Sequence, residues 1–261
     1  MRSRRLYARH AAAADRGGWS VERDIRWRDI DRAKTYARPA ILTALRDAAL
    51  IESYHPVHLA GLLVRTRDDI DAGVVFSLEL YEGFKHFHAL RCYLEAIDFE
   101  PRITDAELVA IRRRSSDAGE ARSRRGSGKG SDAPREGVIE QLVEFMLSEH
   151  LAAYFFRRLG EQALDPVLAE LLELIAADEV RHAQSASDLI AKRIEADASL
   201  VTRVLEAAVH FRHYGEHAVG AVPVAQPGDP LAIRTFARRI ERLCGVRLID
   251  HMKAGIGVAS P

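Results

Sequence analysis

The segment Ala176-Ala177-Asp178-Glu179-Val180-Arg181-His182 places a carboxylate and an imidazole three positions apart within an apolar helical pattern. On an α-helix, residues i and i+3 lie on the same face. The apolar positions of that face continue on both sides of the motif: Leu168, Leu171, Leu172, Ile175, Ala186, Leu189 and Ile190. A carboxylate buried on such a face is costly unless it is neutralised, paired or bound to a metal. The segment therefore predicts a core helix that carries metal ligands.

The composition is compatible with one sizeable core. The 261 residues are 48% hydrophobic, which suffices for one large domain or two small ones. Lys+Arg and Asp+Glu both number 38, so the overall charge favours neither a nucleic-acid nor a membrane partner. The chain has two cysteines, too few for a disulfide framework, and neither a signal-peptide core nor a membrane-length apolar run. We therefore expect a cytoplasmic protein.

The helical periodicity predicts an all-α fold, because segments rich in Ala, Leu, Glu and Arg dominate and strand signals are nearly absent. Four core helices are expected: the first begins near Pro39, runs past Leu63 and is bent by Pro56, the second covers 68–98, the third covers 137–159, and the fourth carries Glu179 and His182. A fifth helix over 199–220 follows. A final helix through about Cys244 should have Asp229 as its N-cap and Pro230 at its first position.

The expected domain organisation is an N-terminal arm, a bundle and a C-terminal helix with a tail. The arm comprises residues 1–38, irregular over the first thirty, with Trp19 and Trp27 packed on the bundle. The bundle covers 39–220, and the C-terminal part covers 221–261. A mobile basic loop at 112–136 separates the two halves of the bundle. Short links within each half and one long crossover between helices two and three predict the ferritin-like four-helix bundle.

Each core helix carries an acid on its apolar face. Glu52 lies on the first helix, with Asp47 as a rival one turn earlier. Glu82 follows Glu52 by thirty residues, and Glu179 follows Glu149 by thirty, so that each hairpin brings its second acid back to the level of the first. This is the pattern of a carboxylate-bound pair of iron ions (Fe²⁺) or, alternatively, manganese ions, because four carboxylates balance two divalent cations and imidazole suits iron. The predicted ligands are Glu52, Glu82, His86, Glu149, Glu179 and His182, with no catalytic residue beyond this site.

The same residues resemble the soluble acyl-ACP desaturases, within the ferritin-like non-haem di-iron superfamily; arylamine N-oxygenases are more distant relatives. Residues 176–182 resemble that family's D-E-x-R-H motif, and Leu80-Tyr81-Glu82-Gly83-Phe84-Lys85-His86, followed by Arg91-Cys92-Tyr93-Leu94, resembles its E-E-x-R-H motif. Glu149 falls where the family has its third-helix ligand. The resemblance covers roughly residues 39–220.

The first motif departs from the family at Gly83, where the family has the acid that bridges the two metals. Glu82 matches the preceding acid, which in the family lies outside the metal coordination shell. Three interpretations stay open: Glu82 moves to the metal, Glu79 takes that role, or the site lacks one bridge.

The resemblance also implies outer partners for the ligands. Asp178 would accept a hydrogen bond from His86, while Arg181 and Lys85 would pair with the inner carboxylates. For Lys85, a solvent-facing position is an equal alternative. His210, His213 and His217 share one face of the predicted fifth helix, where a polar outer stripe is favoured over an additional metal ligand or a proton relay.

The function expected from this site is an O2-dependent non-haem di-iron oxidoreductase of the desaturase, hydroxylase or N-oxygenase type. It would act on an apolar or carrier-bound small substrate, with O2 as cosubstrate and an external electron donor. The basic loop suggests an acidic carrier protein as a partner, and a homodimer is the other assembly considered. Two alternatives are a ferritin-like iron-oxidising or peroxidase protein and a metal-free bundle that acts as a binding protein, which Gly83 keeps open.

Overall fold

A computed structural model describes residues 5–113, 137–220 and 230–257, and within these ranges every regular element is helical. The helices are α1 (Leu6–Gly17), α2 (Arg32–Tyr36), α3 (Pro39–Glu52), α4 (His55–Arg65), α5 (Ile70–Ala96), α6 (105–113), α7 (Val138–Gln162), α8 (Pro166–Ala196), α9 (Leu200–Val209), α10 (Glu216–Val219), α11 (Pro230–Cys244) and α12 (Leu248–Gly257). The all-α ferritin-like fold predicted from the sequence is confirmed.

Helices α3, α5, α7 and α8 form the bundle, with α7 packed along α8 and α5 packed on both α3 and α8. Their starts are fixed by local chemistry. The Asp165 side chain accepts a hydrogen bond from the Leu168 backbone N–H (3.1 Å) and from the Tyr93 hydroxyl (2.8 Å), so the same carboxylate caps α8 and ties it to α5. Asp69 caps α5 in the same way.

The connection between α5 and α7 is the long crossover. It contains α6, and of the predicted basic loop at 112–136 only Arg112 and Arg113 belong to the described part of the chain, as the end of α6. The loop itself therefore stays a prediction.

The first core helix differs from the expected bent helix, because it is two helices separated at Ser53 and Tyr54. Pro56 explains the break. A proline lacks the backbone N–H and its ring collides with the carbonyl four residues earlier, which here belongs to Glu52. The helix therefore ends at Glu52 and restarts at His55, which brings both side chains into the core, each about 2% exposed or less.

The N-terminal arm is more regular than expected. Residues 6–17 form α1, which packs on α5 and α8, in keeping with the high helix propensity of Ala11-Ala12-Ala13-Ala14. Trp19 is buried against the bundle as expected. The boundaries 1–38, 39–220 and 221–261 stay predictions.

The predicted fifth helix is wrong in its second half. Helix α9 ends at Val209, and the chain then turns so that His213 and Tyr214 are buried, whereas His210 is exposed. The three histidines therefore do not share a helix face. The final helix begins at Pro230 as expected, while its proposed cap, Asp229, lies outside the described residues.

Most of the buried residues form a single apolar cluster that includes Leu45, Phe76, Leu90, Phe145 and Leu172. A group of buried charged residues interrupts this core at the middle of the bundle. No helix in the described ranges is both long enough and apolar enough to cross a membrane.

Candidate di-metal site

The buried charged residues form two adjacent groups of possible metal ligands. The first group is Glu52 from α3, His86 from α5 and Glu179 from α8. The second group is Glu79 from α5, Glu149 from α7 and His182 from α8. Within each group the ligand atoms lie within 4.8 Å of one another, and all six side chains are buried.

Glu179 connects the two groups. One of its oxygens lies 2.8 Å from His86 Nδ1, and the other lies 2.9 Å from His182 Nδ1. His182 Nδ1 is also 3.3 Å from Glu149 Oε2 and 3.2 Å from Glu79 Oε2. A carboxylate with one oxygen at each group is in the position of a bridge between two cations.

Several of these buried atoms have no partner with hydrogen-bond geometry. They are Glu52 Oε2, Glu79 Oε2, Glu179 Oε1, His55 Nδ1 and His86 Nδ1. Each of them lies between 2.8 Å and 3.6 Å from a carboxylate oxygen or imidazole nitrogen of the same cluster, in close contact but without hydrogen-bond alignment. Five such atoms in one cluster, all electron-pair donors, fit a site that binds cations.

Two further carboxylates lie outside the groups and orient the histidines. His86 Nε2 donates to Asp178 Oδ2 (2.9 Å), and His182 Nε2 donates to Glu82 Oε2 (2.8 Å). Because a carboxylate only accepts, each Nε2 carries a proton, so that with a metal bound the Nδ1 atom of each ring would be the one directed at the ion. Arg181 joins these two acids, at 2.5 Å from Asp178 Oδ1 and 2.6 Å from Glu82 Oε1.

Asp178 has two more partners. Lys85 Nζ is 2.9 Å from Asp178 Oδ2, and the Trp19 indole N–H donates to the same oxygen at 2.8 Å. The Trp19 ring lies nearly parallel to the His86 ring, with 6.2 Å between their centroids. Burial acts to raise the pKa of Asp178, but the His86 imidazole and the charges of Lys85 and Arg181 outweigh it and hold the pKa below its usual range.

The inner carboxylates have very different proton affinities without a metal. Burial raises the pKa of Glu79 to about 8, and the neighbouring carboxylates add to this effect. Burial acts in the same direction on Glu52, but the His55 and His86 imidazoles outweigh it and lower its pKa to about 2. For Glu179, burial and Glu52 raise the pKa, yet His182 and other partners lower it to about 2.

Five of the six predicted ligands belong to the two groups, and the sixth, Glu82, does not. The carboxylate of α5 that does is Glu79, two helical turns before His86 on the same face. Asp47, the rival of Glu52, is only half-buried and outside both groups. The proposed outer partners Asp178, Arg181 and Lys85 all lie at the site, and Lys85 is buried rather than solvent-facing. Arg181 and Lys85 contact Asp178 and Glu82, however, and not the inner carboxylates with which they were expected to pair.

Sequence reasoning missed His55 and Tyr214 as residues of this site. His55 Nδ1 is 3.2 Å from Glu52 Oε2, and the Tyr214 hydroxyl donates to Glu149 Oε1 at 2.9 Å. A signal for His55 was present, because Glu52-Ser53-Tyr54-His55 is itself a Glu-x-x-His sequence. For Tyr214 we find no such signal.

Comparisons with known proteins support the fold. No protein-family model matches the chain, and no curated protein matches it in sequence. The solved structures that are similar in shape include two mutants of an R2-like ligand-binding oxidase with anaerobically reconstituted Mn/Fe cofactor. One has a TM-score of 0.59 and 18% identity, the other 0.56 and 16%, and each alignment covers 93% of both chains. Neither is an acyl-ACP desaturase.

Proposed function

We infer that this chain is an O2-dependent oxidase with two metal ions bound between α3, α5, α7 and α8. The observation that carries this inference is the convergence of six buried ligand side chains in two adjacent groups, where five electron-pair donor atoms lack a partner with hydrogen-bond geometry. The similar structures, which contain an Mn/Fe cofactor, support the same conclusion. Iron at both positions, or iron with manganese, is the proposed metal content.

The donor set fits two divalent cations. Each group supplies one imidazole and two carboxylates, and the four carboxylates Glu52, Glu79, Glu149 and Glu179 balance two double charges. A pair of divalent metals also explains why so many acids share one core, where they would otherwise repel and take up protons. When bound, the metals supply the reduction of O2 and the oxidation of substrate.

The protein residues hold and orient this donor set. Asp178 and Glu82 fix the histidine tautomers, and Arg181 holds both acids in place between α5 and α8. Trp19, from the N-terminal arm, covers His86. Lys85 Nζ lies 4.3 Å from the centre of the Trp19 ring. The burial of all six ligands excludes bulk water from the metals.

The substrate would enter by a pocket between α1, α5 and α8. Its volume is about 230 Å³, and it reaches Glu79, Glu82 and His182 at its inner end. Arg9 and His10 line it on the α1 side, and Val75 and Leu78 provide an apolar part. This size and lining fit a small molecule with both polar and apolar portions, on which the oxidase would act as a desaturase, hydroxylase or N-oxygenase.

The pocket can be tested without knowing the substrate. Ala14 lines it, so Ala14→Trp should fill it and slow the binding of azide to the oxidised, iron-loaded protein, followed by absorption spectroscopy. The metal content should be unchanged. Ala12→Trp, on the same helix but outside the pocket lining, is the control. Equal rates of azide binding in the wild type and both variants would show that ligands reach the metals by a route other than this pocket.

The oxidase function is tested by O2 uptake. Protein loaded anaerobically with Fe²⁺ should consume O2 on mixing, and Glu179→Ala should abolish the uptake. The oxidised protein should keep about two irons per chain. Uptake of many irons per chain would instead show iron storage, and no iron binding at all would leave a metal-free binding protein.

The proposed partners follow from the reaction. A catalytic cycle that begins with reduced metals requires an external electron donor. An acidic carrier protein is a proposal that rests on the basic segment at 112–136. A homodimer and a cytoplasmic location are proposals as well.

A further inference from the structure

Gly83 lies at the position of α5 that corresponds to Glu179 of α8, three residues before the histidine of the motif. A side chain cannot occupy this position as the helix stands. A Cβ atom at residue 83 would lie 2.0 Å from His55 Nδ1 and 2.9 Å from its Cγ. The His55 ring therefore fills the space in which the side chain of any other residue at 83 would begin.

The contacts of His55 fix which of its nitrogens carries the proton. The Tyr214 hydroxyl has one proton, which it donates to Glu149 Oε1 at 2.9 Å. The same hydroxyl oxygen must then accept from His55 Nε2, 2.5 Å away. His55 Nε2 is also 3.2 Å from Glu149 Oε1, which can only accept. Nε2 is therefore the protonated nitrogen.

Burial acts to lower the pKa of His55, but Glu52 and Glu149 outweigh it and raise the pKa, so without a metal His55 also carries a proton on Nδ1; a metal ion would take the place of that proton. His55 Nδ1 is 3.2 Å from Glu52 Oε2, and neither atom has a partner with hydrogen-bond geometry. In a neutral imidazole that donates from Nε2, Nδ1 is an acceptor. A cation between Nδ1 and the carboxylate oxygen satisfies both atoms.

The other two histidines of the site are arranged in the same way. His86 and His182 each direct Nδ1 inward to the carboxylates and donate from Nε2 to an acid, Asp178 or Glu82. A metal-bound histidine typically donates its other ring N–H to such an acceptor. His55 repeats the arrangement, with Glu52 on the inner side and Glu149 with Tyr214 on the outer side.

We propose that His55 is a metal ligand through Nδ1, added to Glu52, His86 and Glu179 at the first ion, in the place left by Gly83. This rests on the proposed di-metal function. His55 is not one of the three mutually close residues of that group, but its Nδ1 lies 3.2 Å from Oε2 of Glu52, which is one of them. A neutral imidazole leaves the charge balance unchanged. The first ion then has two nitrogen ligands and the second has one, so the two ions are not equivalent.

The first test is spectroscopic and needs no variant. Co²⁺ is a paramagnetic probe, and the N–H proton of each bound imidazole shifts far outside the normal proton NMR range and exchanges with solvent. Wild-type protein loaded with Co²⁺ should show three such signals, from His55, His86 and His182. Two signals in a protein that binds two Co²⁺ ions would overturn the role of His55 and leave the di-metal function intact. Failure to bind Co²⁺ or Fe²⁺ would overturn both.

Variants identify the third signal. His55→Ala should lose one signal and bind one of the two ions at least about tenfold more weakly. His58→Ala is the matched control, because His58 is one turn further along α4 and packs on the same rings, Phe145 and Tyr214. It should keep three signals and wild-type affinity. Equal affinity in His55→Ala and wild type would contradict the proposal.

A compensating pair tests whether His55 and residue 83 share one place. Gly83→Glu alone should weaken Co²⁺ binding, because the new side chain collides with His55. The double variant His55→Ala/Gly83→Glu should bind Co²⁺ more tightly than either single variant, with two N–H signals. If it binds no better than the two single variants, and its circular dichroism matches that of wild type, the shared position is refuted.

Discussion

Helices α8 and α5 carry related motifs that meet the metal site differently. In α8, Asp178 accepts from the histidine of α5, and Glu179 contacts both histidines. In α5, Glu82 accepts from the histidine of α8 in the same way, but Gly83 follows it. Asp178 and Glu82 thus have the same role in the two motifs, and Arg181 contacts both. The next residue differs, because it is Glu179 in α8 and Gly83 in α5.

Gly83 supplies no carboxylate at the position that Glu179 occupies in α8. The α5 carboxylate that lies in a ligand group is Glu79, one turn earlier, which is close to Glu149 and His182 rather than to His86. The space at residue 83 is taken by His55. Substitutions in α5 and in α8 test these differences between the two helices.

The largest effect is expected for Glu179→Ala. Since this carboxylate contacts both histidines, its loss should abolish tight binding of both ions, a larger loss than the ~10–100-fold that removal of an outer partner costs. Isothermal titration with Fe²⁺ under argon measures it. Glu173→Ala, an exposed position on the same helix, is the control. Retention of one tightly bound ion would show that Glu179 is not a bridge.

The next effect separates Glu79 from Glu82 as the metal ligand of α5. Glu79→Gln should reduce the metal content from about two ions per chain to about one. Glu82→Gln should keep both ions and weaken them by roughly 10–100-fold, because Glu82 acts through His182. Metal analysis after desalting distinguishes the two. The reverse result would place Glu82 on the metal, as the sequence alone predicts.

A smaller effect concerns the stability of the metal-free protein. The pKa of Glu79, raised by burial to about 8, means that folding favours its protonated form. The loss of folding stability caused by burying the Glu79 carboxylate is absent below its unfolded pKa near 4.5 and grows as the pH rises to about 8. Glu79→Gln should therefore stabilise the metal-free protein at pH 8, on the order of 2–4 kcal/mol, since one pKa unit is worth about 1.4 kcal/mol.

Urea unfolding at pH 5 and pH 8 measures this gain, which should be small at the lower pH. Glu82→Gln is the control of opposite sign. Burial acts to raise the pKa of Glu82, but the His182 contact outweighs it and the pKa is lowered, so this variant should destabilise the metal-free protein at pH 8. A Glu79→Gln variant that gains no stability between the two pH values would contradict the assignment of the proton to Glu79.

The smallest effect is expected at Trp19. Trp19→Phe removes one hydrogen bond to Asp178 but keeps the ring against His86 and leaves the Lys85 and Arg181 contacts in place. Metal affinity should fall only a few-fold, because Asp178 is not itself in either ligand group and keeps its contacts with His86, Lys85 and Arg181. A loss as large as that in Asp178→Asn would show that Trp19 alone positions Asp178.

The α8 half of the site could be predicted from sequence because its ligands and apolar neighbours follow one uninterrupted helical period. Glu179, His182 and Asp178 are then placed relative to one another by helix geometry alone. The four core helices and the long crossover follow from the same periodicity. The same helical period placed Glu149 on the apolar face of the third core helix.

The α5 half could not be resolved in this way. Glu79, Glu82 and His86 share one helix face, so periodicity does not decide which acid points to a metal. The decision depends on His55, whose position depends on the break that Pro56 imposes after Glu52. The position of Tyr214 could not be predicted either. Helix α9 ends at Val209, and the chain after it places the Tyr214 hydroxyl against Glu149.

The two proposed ions should lie on either side of Glu179. The most direct measurement is anomalous X-ray diffraction from crystals of the protein loaded with iron and manganese. We predict two peaks in the bundle core, one bounded by Glu52, His86 and Glu179 and the other by Glu79, Glu149 and His182. A single peak, or peaks only at the protein surface, would contradict this account.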